Sequence, residues 1–169
     1  MQKSDVEQIM EIEKVSFGRY HWTKQSFISE IDNAMGNYYT AFDNETNQVI
    51  GYYGFWLIWE EAHVTTIAVR PEYRKKYIGE LLFQSMLDVG YEVEAKWFTL
   101  EVRASNISAQ NLYYKYKFKS LGLRAKYYQD TNEDALVMWS ENIWDDSFKT
   151  DLQKLKDELS NKQVVSLVK

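Results

Sequence analysis

The feature that most constrains this chain is the stretch Thr65-Thr66-Ile67-Ala68-Val69-Arg70-Pro71-Glu72-Tyr73-Arg74-Lys75-Lys76-Tyr77-Ile78-Gly79-Glu80-Leu81-Leu82. It opens as a β-branched strand, is broken by a proline that cannot continue a ladder, and passes into a basic loop. Ile78, Leu81, Leu82, Met86 and Leu87 then mark the apolar face of a helix. A strand joined to a helix by a short polar loop commits the chain to a sheet with helices packed on it. The helix start also carries chemistry. Its first N–H groups lack intrahelical partners, and the helix dipole together with Arg74, Lys75 and Lys76 makes an anion cradle of the kind a pyrophosphate needs. The competing reading is a solvated basic helix start in which Gly79 serves packing alone.

The flanking segments alternate in the same way. Upstream, Ser4 reads as an N-cap for an amphipathic helix marked by Val6, Ile9, Met10, Ile12, Val15 and Phe17, and a second helix is expected from Thr23 to Ile31. Tyr38–Phe42 and Val49–Ile58, joined by turn chemistry at Asn44–Asn47, read as a hairpin, and a turn at Trp59–Ala62 leads to a third strand, His63–Val69. Downstream come a strand Trp97–Val102, a loop Arg103–Asn106, a helix Ile107–Tyr116 and strands Leu121–Tyr127 and Ala135–Ser140 around a turn at Asp130–Glu133. The order α-α-β-β-β-α-β-α-β-β predicts an α/β fold: a mixed sheet with helices on both faces. The chain's 169 residues, 45% apolar and 16% aromatic, suffice for one full core. Trp144–Leu159 reads as an added helix, and the last ten residues are expected to fray. The expected division is a catalytic domain over 1–143 and a C-terminal helical extension over 144–169.

Composition removes several chemistries. There is no Cys, so disulfides, thiolate metal sites and a Cys nucleophile are excluded, and His21 and His63 alone cannot build a His-rich metal site. Metal-free chemistry is the expectation. A net charge of −5 and a pI near 5.1 argue against a nucleic-acid partner. The acidic surface suits a basic acceptor, or serves solubility alone. The longest apolar run is far short of the roughly 20 residues that span a membrane, so no membrane partner is expected. No secretory or transit segment is visible at the start, so the protein is expected to remain in the compartment where it is made.

A second informative stretch is Leu100-Glu101-Val102-Arg103-Ala104-Ser105-Asn106, followed on the next helix by Tyr113. A strand carboxylate between apolar neighbours is a candidate general base, and a phenol further on is a candidate proton donor to a leaving group. The bland alternatives are an ion pair of Glu101 with Arg103 or a lysine, and a core aromatic at Tyr113.

Taken together, IAVRPEYRKKYIG, LEVRASN and NLYYKYKF resemble the GNAT superfamily, and within it the ribosomal-protein-alanine N-acetyltransferases of bacteria, over about Ser4 to Trp139. Glu61-Ala62-His63-Val64-Thr65-Thr66, and Tyr127-Tyr128 followed by Glu133-Asp134-Ala135, look closest to cyanobacterial and plastid-encoded members. The resemblance implies the GNAT acyl-CoA N-acyltransferase fold, with a mostly antiparallel sheet. It implies acetyl-CoA as donor and a protein N-terminus as acceptor, a ribosomal protein among the candidates, with a lysine or a small amine as alternatives. It implies that backbone at Ile67, Ala68 and Val69 holds the pantetheine and polarises the thioester. Arg74, Lys75, Lys76, Tyr77, Ile78 and Gly79 would hold the pyrophosphate, and Asn106 would touch the cosubstrate. Glu101 becomes the general base, acting through water, and Tyr113 the general acid for the departing thiolate, in a direct attack. Two residues depart from the family pattern: Tyr77 stands where the loop's first Gly lies, and Lys117 stands where a Gly precedes Phe118. The first keeps open a second reading, a CoA-binding or protein-interaction module with weakened catalysis, whose partner surface could use the 13 Tyr and 6 Trp. Composition rich in Lys, Asn, Tyr and Ile fits a plastid stroma, and a bacterial cytoplasm fits equally.

Overall fold

The structure, a computed structural model, describes residues 1–162. Helices α1 (Val6–Phe17) and α2 (Lys24–Ile31) precede a meander of β1 (Gly36–Asp43), β2 (Gln48–Ile58) and β3 (Glu61–Val69). Then follow α3 (Ile78–Glu92), β4 (Trp97–Arg103), α4 (Ile107–Lys115), β5 (Lys119–Tyr128), β6 (Glu133–Trp139) and α5 (Asp146–Ser160). The strands form one sheet in the order β1-β2-β3-β4-β6-β5. Only β3 and β4 run parallel; the other neighbours are antiparallel. The expected mixed, mostly antiparallel sheet is therefore observed.

Strand alternation sorts the core into two layers. On one face Val6, Ile9 and Ile12 of α1 and Phe27 of α2 pack against Val49, Tyr52 and Ala68. On the other, Ile78, Leu82, Phe83 and Met86 of α3, Tyr113 of α4, and Phe148 and Leu152 of α5 cover Ile50, Phe55, Leu100 and Val102. Helices thus cover both faces, and α5 closes the second layer.

The sheet opens in the middle. β3 and β4 pair only from Glu61↔Trp97 to His63↔Thr99. One step beyond, Gly54 of β2 faces Thr66 and Phe55 faces Val64, which leaves Thr65 as an extra residue on β3. Such a bulge bends a strand and raises its twist, here just where the parallel ladder ends. The bulge is pinned from β1: the Tyr38 ring lies over Gly54, where an added Cβ would stand 2.1 Å from it, and the Tyr38 hydroxyl meets Thr65 Oγ1 at 3.0 Å. Only glycine leaves room for that crossing.

Several local expectations need correction. Ser4 does not cap α1. Lys3–Asp5 forms a short 3-10 turn in which the Gln2 N–H donates to Asp5 Oδ2 at 2.7 Å, and the helix begins after it. Val15 is 64% exposed, and Glu13 takes the inward position instead. The last helix starts at Asp146, with Trp144 ahead of it donating from its indole to the Ala95 carbonyl at 2.8 Å. Of the segment expected to fray, residues 163–169 lie outside the described residues.

Candidate active site

The parting of β3 and β4 produces a cleft of about 440 Å³. One wall is β3 from Val64 to Ile67, the other is β4 from Leu100 to Arg103, continued by Asn106 and Tyr113 of α4. Glu13, Ser16, Phe17, Tyr20 and Trp22 close it from the α1–α2 side, and Tyr127 and Tyr128 close it from β5. Of the residues singled out in the sequence, Ile67, Glu101, Asn106 and Tyr113 therefore share one space.

Leu100 and Val102 point into the second core layer, so alternation turns Glu101 to the opposite face. Its side chain is 25% exposed, and its Oε1 lies 3.2 Å from a guanidinium nitrogen of Arg124 on β5. The alternative of an ion pair with Arg103 or a lysine is met in part: Glu101 is paired, but with Arg124. Arg103 instead binds both carboxylate oxygens of Asp130, at 2.9 and 2.7 Å, and stacks 4.0 Å from the centre of the Tyr128 ring. The Tyr128 hydroxyl donates to the Glu101 carbonyl at 3.3 Å. These contacts hold the backbone that carries Glu101 and leave its side chain to Arg124, which is 56% exposed.

Tyr113 is buried against Phe83, with ring centroids 5.1 Å apart. Burial pushes its phenol well above the ordinary value of 10.0, so it stays protonated at neutral pH and keeps a proton to donate. Asn106 caps α4: its Oδ1 accepts from the Ala109 N–H at 3.2 Å, which leaves the amide NH2 to face the cleft.

The 74–79 loop stands beyond the end of β3 and does not line the cleft. Arg74 ties it there, donating from Nε to the Val69 carbonyl and from a terminal nitrogen to Ser16 Oγ, each at 3.0 Å. Lys75 and Tyr77 both adopt positive φ, +58° and +62°. Tyr77 therefore does occupy a left-handed position, the conformation that favours glycine, at a cost of about 1–3 kcal/mol. Its ring does not fill the loop: it is 45% exposed and lies under Lys162 Nζ, 4.2 Å from its centre, two residues after α5. The Ile78 side chain is fully buried, so that residue can offer an anion only its N–H. At Gly79 an added Cβ would meet only Val69 Cγ2, at 3.6 Å, which is ordinary contact. Glu80, an acid in the first turn of α3, is held by Lys115 at 2.5 Å and by the Tyr116 hydroxyl at 3.0 Å. Lys75 and Lys76 make no ion pair among the described residues, so their charges remain free to meet an anion.

Lys117 also has a positive φ, +65°. It ends α4 in a Schellman turn, with Phe118 N–H bonded to the Tyr113 carbonyl at 3.0 Å and Lys117 N–H to that of Tyr114 at 3.1 Å. Its ammonium is 2.9 Å from Asp151 of α5.

A slot between splayed parallel strands, beside a cationic helix start, fits a long thin cosubstrate ending in phosphates. The comparison with known proteins decides which one: residues 6–118 match the acetyltransferase (GNAT) family. The chain belongs to that family. It is accordingly an acetyl-CoA-dependent N-acetyltransferase. Among its relatives is a Bacillus subtilis (strain 168) protein provisionally named as a ribosomal protein bS18-alanine N-acetyltransferase. It is 40% identical over 139 residues, which cover 82% of this chain and 91% of that protein. The ribosomal protein bS18-alanine N-acetyltransferase of Escherichia coli (strain K12) is 30% identical over 122 residues, covering 70% of this chain and 80% of that one. A crystal structure of the Escherichia coli ribosomal-protein-S18-alanine N-acetyltransferase superposes with a TM-score of 0.74 at 25% identity, covering 83% of this chain and 89% of that one.

Sequence reasoning overlooked Glu13, Arg124 and the bulge at Thr65. Glu13 had a visible signal, a charge in the apolar stripe of α1 between Ile9 and Phe17. Arg124 had none, because its meeting with Glu101 depends on β6 lying between β4 and β5.

Proposed function

We propose that this acetyltransferase acts on the N-terminal α-amine of a protein, with ribosomal proteins the leading acceptor class. The single observation that carries the reading is the sharing of one cleft by Glu101, Tyr113 and the free edge of β3. The two bS18-alanine relatives support the acceptor class, and Tyr20, Trp22 and Tyr127 supply an aromatic mouth suited to a peptide end.

In this reading the backbone at Ile67, Ala68 and Val69 pairs with the pantetheine arm and donates to the oxyanion. Arg74, Lys75, Lys76, Tyr77, Ile78 and Gly79 receive the pyrophosphate, Tyr77 and Ile78 through main-chain N–H groups, and Asn106 offers its amide. Acetyl-CoA supplies an activated acyl carbon. Glu101, released from Arg124, takes a proton from the acceptor ammonium through a water, and the freed nitrogen lone pair bonds to the thioester carbon. When the C–S bond breaks, Tyr113 gives its proton to the sulfur, and the second proton shed by the attacking nitrogen as it becomes an amide restores the phenol by way of solvent. Holding amine and thioester together can supply about 7 kcal/mol or more, and the backbone donors add to it.

The division into a catalytic domain, 1–143, and a helical extension, 144–169, belongs to the same proposal. The contact of Lys162 with Tyr77 gives the extension a place beside the phosphate loop. The relatives named above are bacterial and leave the plastid expectation resting on sequence alone. No helix among the described residues is long and apolar enough to cross a membrane.

The test is release of CoA thiol from acetyl-CoA with a peptide bearing a free N-terminal Ala, beside the same peptide with its N-terminus blocked. Turnover with the free peptide alone is expected; equal turnover with a blocked peptide that carries a lysine would move the acceptor to a side chain.

A further inference from the structure

α1 carries a carboxylate where its apolar stripe calls for a hydrocarbon. Glu13 is 1% exposed, and its Oε2 has no hydrogen-bond partner. The Tyr52 hydroxyl on β2 and Thr66 Oγ1 on β3 are buried beside it and likewise lie outside hydrogen-bonding geometry, although the hydroxyl stands close to both Thr66 and Glu13. Tyr52 stands near enough to Glu13 to oppose the rise that burial imposes on its pKa, to about 7, yet the two do not reach hydrogen-bonding geometry. Among the described residues no lysine or arginine compensates Glu13: Arg70 is bound to Glu11 at 3.0 Å, and Arg74 to Ser16. Across the cleft stand Glu101 and Arg103 of β4, with Arg103 already bound to Asp130.

An uncompensated buried carboxylate is costly, and packing alone does not call for one. Its position gives a use, because Glu13 and Thr66 line the cleft on the same face of the sheet as Glu101. We infer that Glu13 is the acceptor-binding carboxylate of this enzyme, receiving the primary ammonium of the acceptor on the α1 wall above Thr66 and opposite Glu101. The inference rests on the N-terminal transferase reading and deepens it. An incoming ammonium favours the ionised form of Glu13, which gives up any proton it holds to solvent, and donates N–H bonds to the carboxylate. Glu101 then takes one of its protons. The product amide is neutral, so Glu13 loses its ionic hold and the acetylated end is free to leave. The sequence of events assigns Glu13 to binding and Glu101 to chemistry.

The test is calorimetric titration of the free-amine Ala peptide, and of its N-acetylated form, into the full chain saturated with CoA, using wild type, Glu13→Gln and Glu13→Asp. Glu13→Gln keeps the shape and removes a buried charge, so it should fold, and its melting temperature is recorded alongside. The expected result is free-peptide binding weakened about tenfold to a hundredfold in Glu13→Gln, the range for a lost hydrogen bond to a charged group. CoA affinity should be unchanged, Glu13→Asp should recover part of the loss, and wild type should prefer the free over the acetylated peptide. Equal peptide binding by wild type and Glu13→Gln would overturn the assignment, as would no preference for the free amine or no peptide binding at all. Glu13-dependent binding of a peptide that is never acetylated would overturn the N-terminal acceptor reading and leave Glu13 as an ammonium-binding carboxylate only, whereas turnover with Glu13-independent binding would keep that reading and overturn this assignment.

Discussion

The two sides of the cleft are built from different materials. The side proposed for the cosubstrate, from Ile67 through the 74–79 loop to the start of α3, offers mainly backbone: a strand edge freed by the Thr65 bulge, two left-handed residues and a helix N-terminus. The side proposed for the acceptor, from α1, β4 and β5, offers side chains: Glu13, Glu101, Arg124, Tyr127 and Tyr128. Backbone donors tolerate substitution as long as the conformation holds, while a carboxylate does not. Mutations on the acceptor side should therefore cost far more activity than mutations in the loop.

The largest effect is expected at Glu101. Glu101→Gln should lower kcat about a hundredfold to ten-thousandfold, the span usual for general acid–base groups, with acetyl-CoA affinity held. A loss under threefold would mean that another group takes the proton. Tyr113→Phe should follow, with kcat lower by about tenfold to a hundredfold and an unchanged melting temperature, since the ring packing survives. A fall in melting temperature comparable to the loss of rate would demote Tyr113 to a packing residue.

Glu13 offers a contrast that needs no substrate. Its carboxyl is raised from 4.5 to about 7, chiefly by burial. A folded pKa above the unfolded one means that its contribution to stability is fully present below pH 4.5 and is lost as pH rises through about 7. Glu13→Gln does not titrate, so its stability should overtake wild type as pH rises from about 5 to about 8, by at most about 3 kcal/mol. Denaturant unfolding at both pH values reads this directly, and a pH-independent difference would contradict it.

The smallest effect is expected in the loop. Tyr77→Gly relieves a φ of +62° but loses the contact with Lys162, and glycine adds about 0.5–1 kcal/mol of unfolded-state entropy. CoA affinity should change less than threefold. A gain above tenfold would show that the tyrosine obstructs the phosphates and would favour a degraded site.

The same contrast explains what the sequence disclosed. Element order and the strand–loop–helix unit were legible because they rest on local periodicity and on Pro71, and family likeness singled out Glu101, Asn106 and Tyr113, which line one cleft. The conformation of Tyr77 was legible as a question, since only a left-handed position makes a missing glycine matter. The non-local facts were not legible: the bulge depends on Tyr38 crossing Gly54, and the partner of Glu101 depends on strand order. Glu13 lay between these cases. Its place in the α1 stripe was readable, but the preference for apolar inward positions gave that face to Val15, which the structure leaves in solvent.

The central claim is that both sides serve one reaction in one cleft. A conjugate joining the α-amine of an Ala peptide to the CoA sulfur through an acetyl linker tests it most directly, by calorimetric comparison with CoA and peptide alone. If the two halves meet between β3 and β4, the conjugate should bind at least about a hundredfold more tightly than CoA, because the second contact becomes intramolecular. A conjugate no tighter than CoA would contradict a shared cleft and place the acceptor elsewhere.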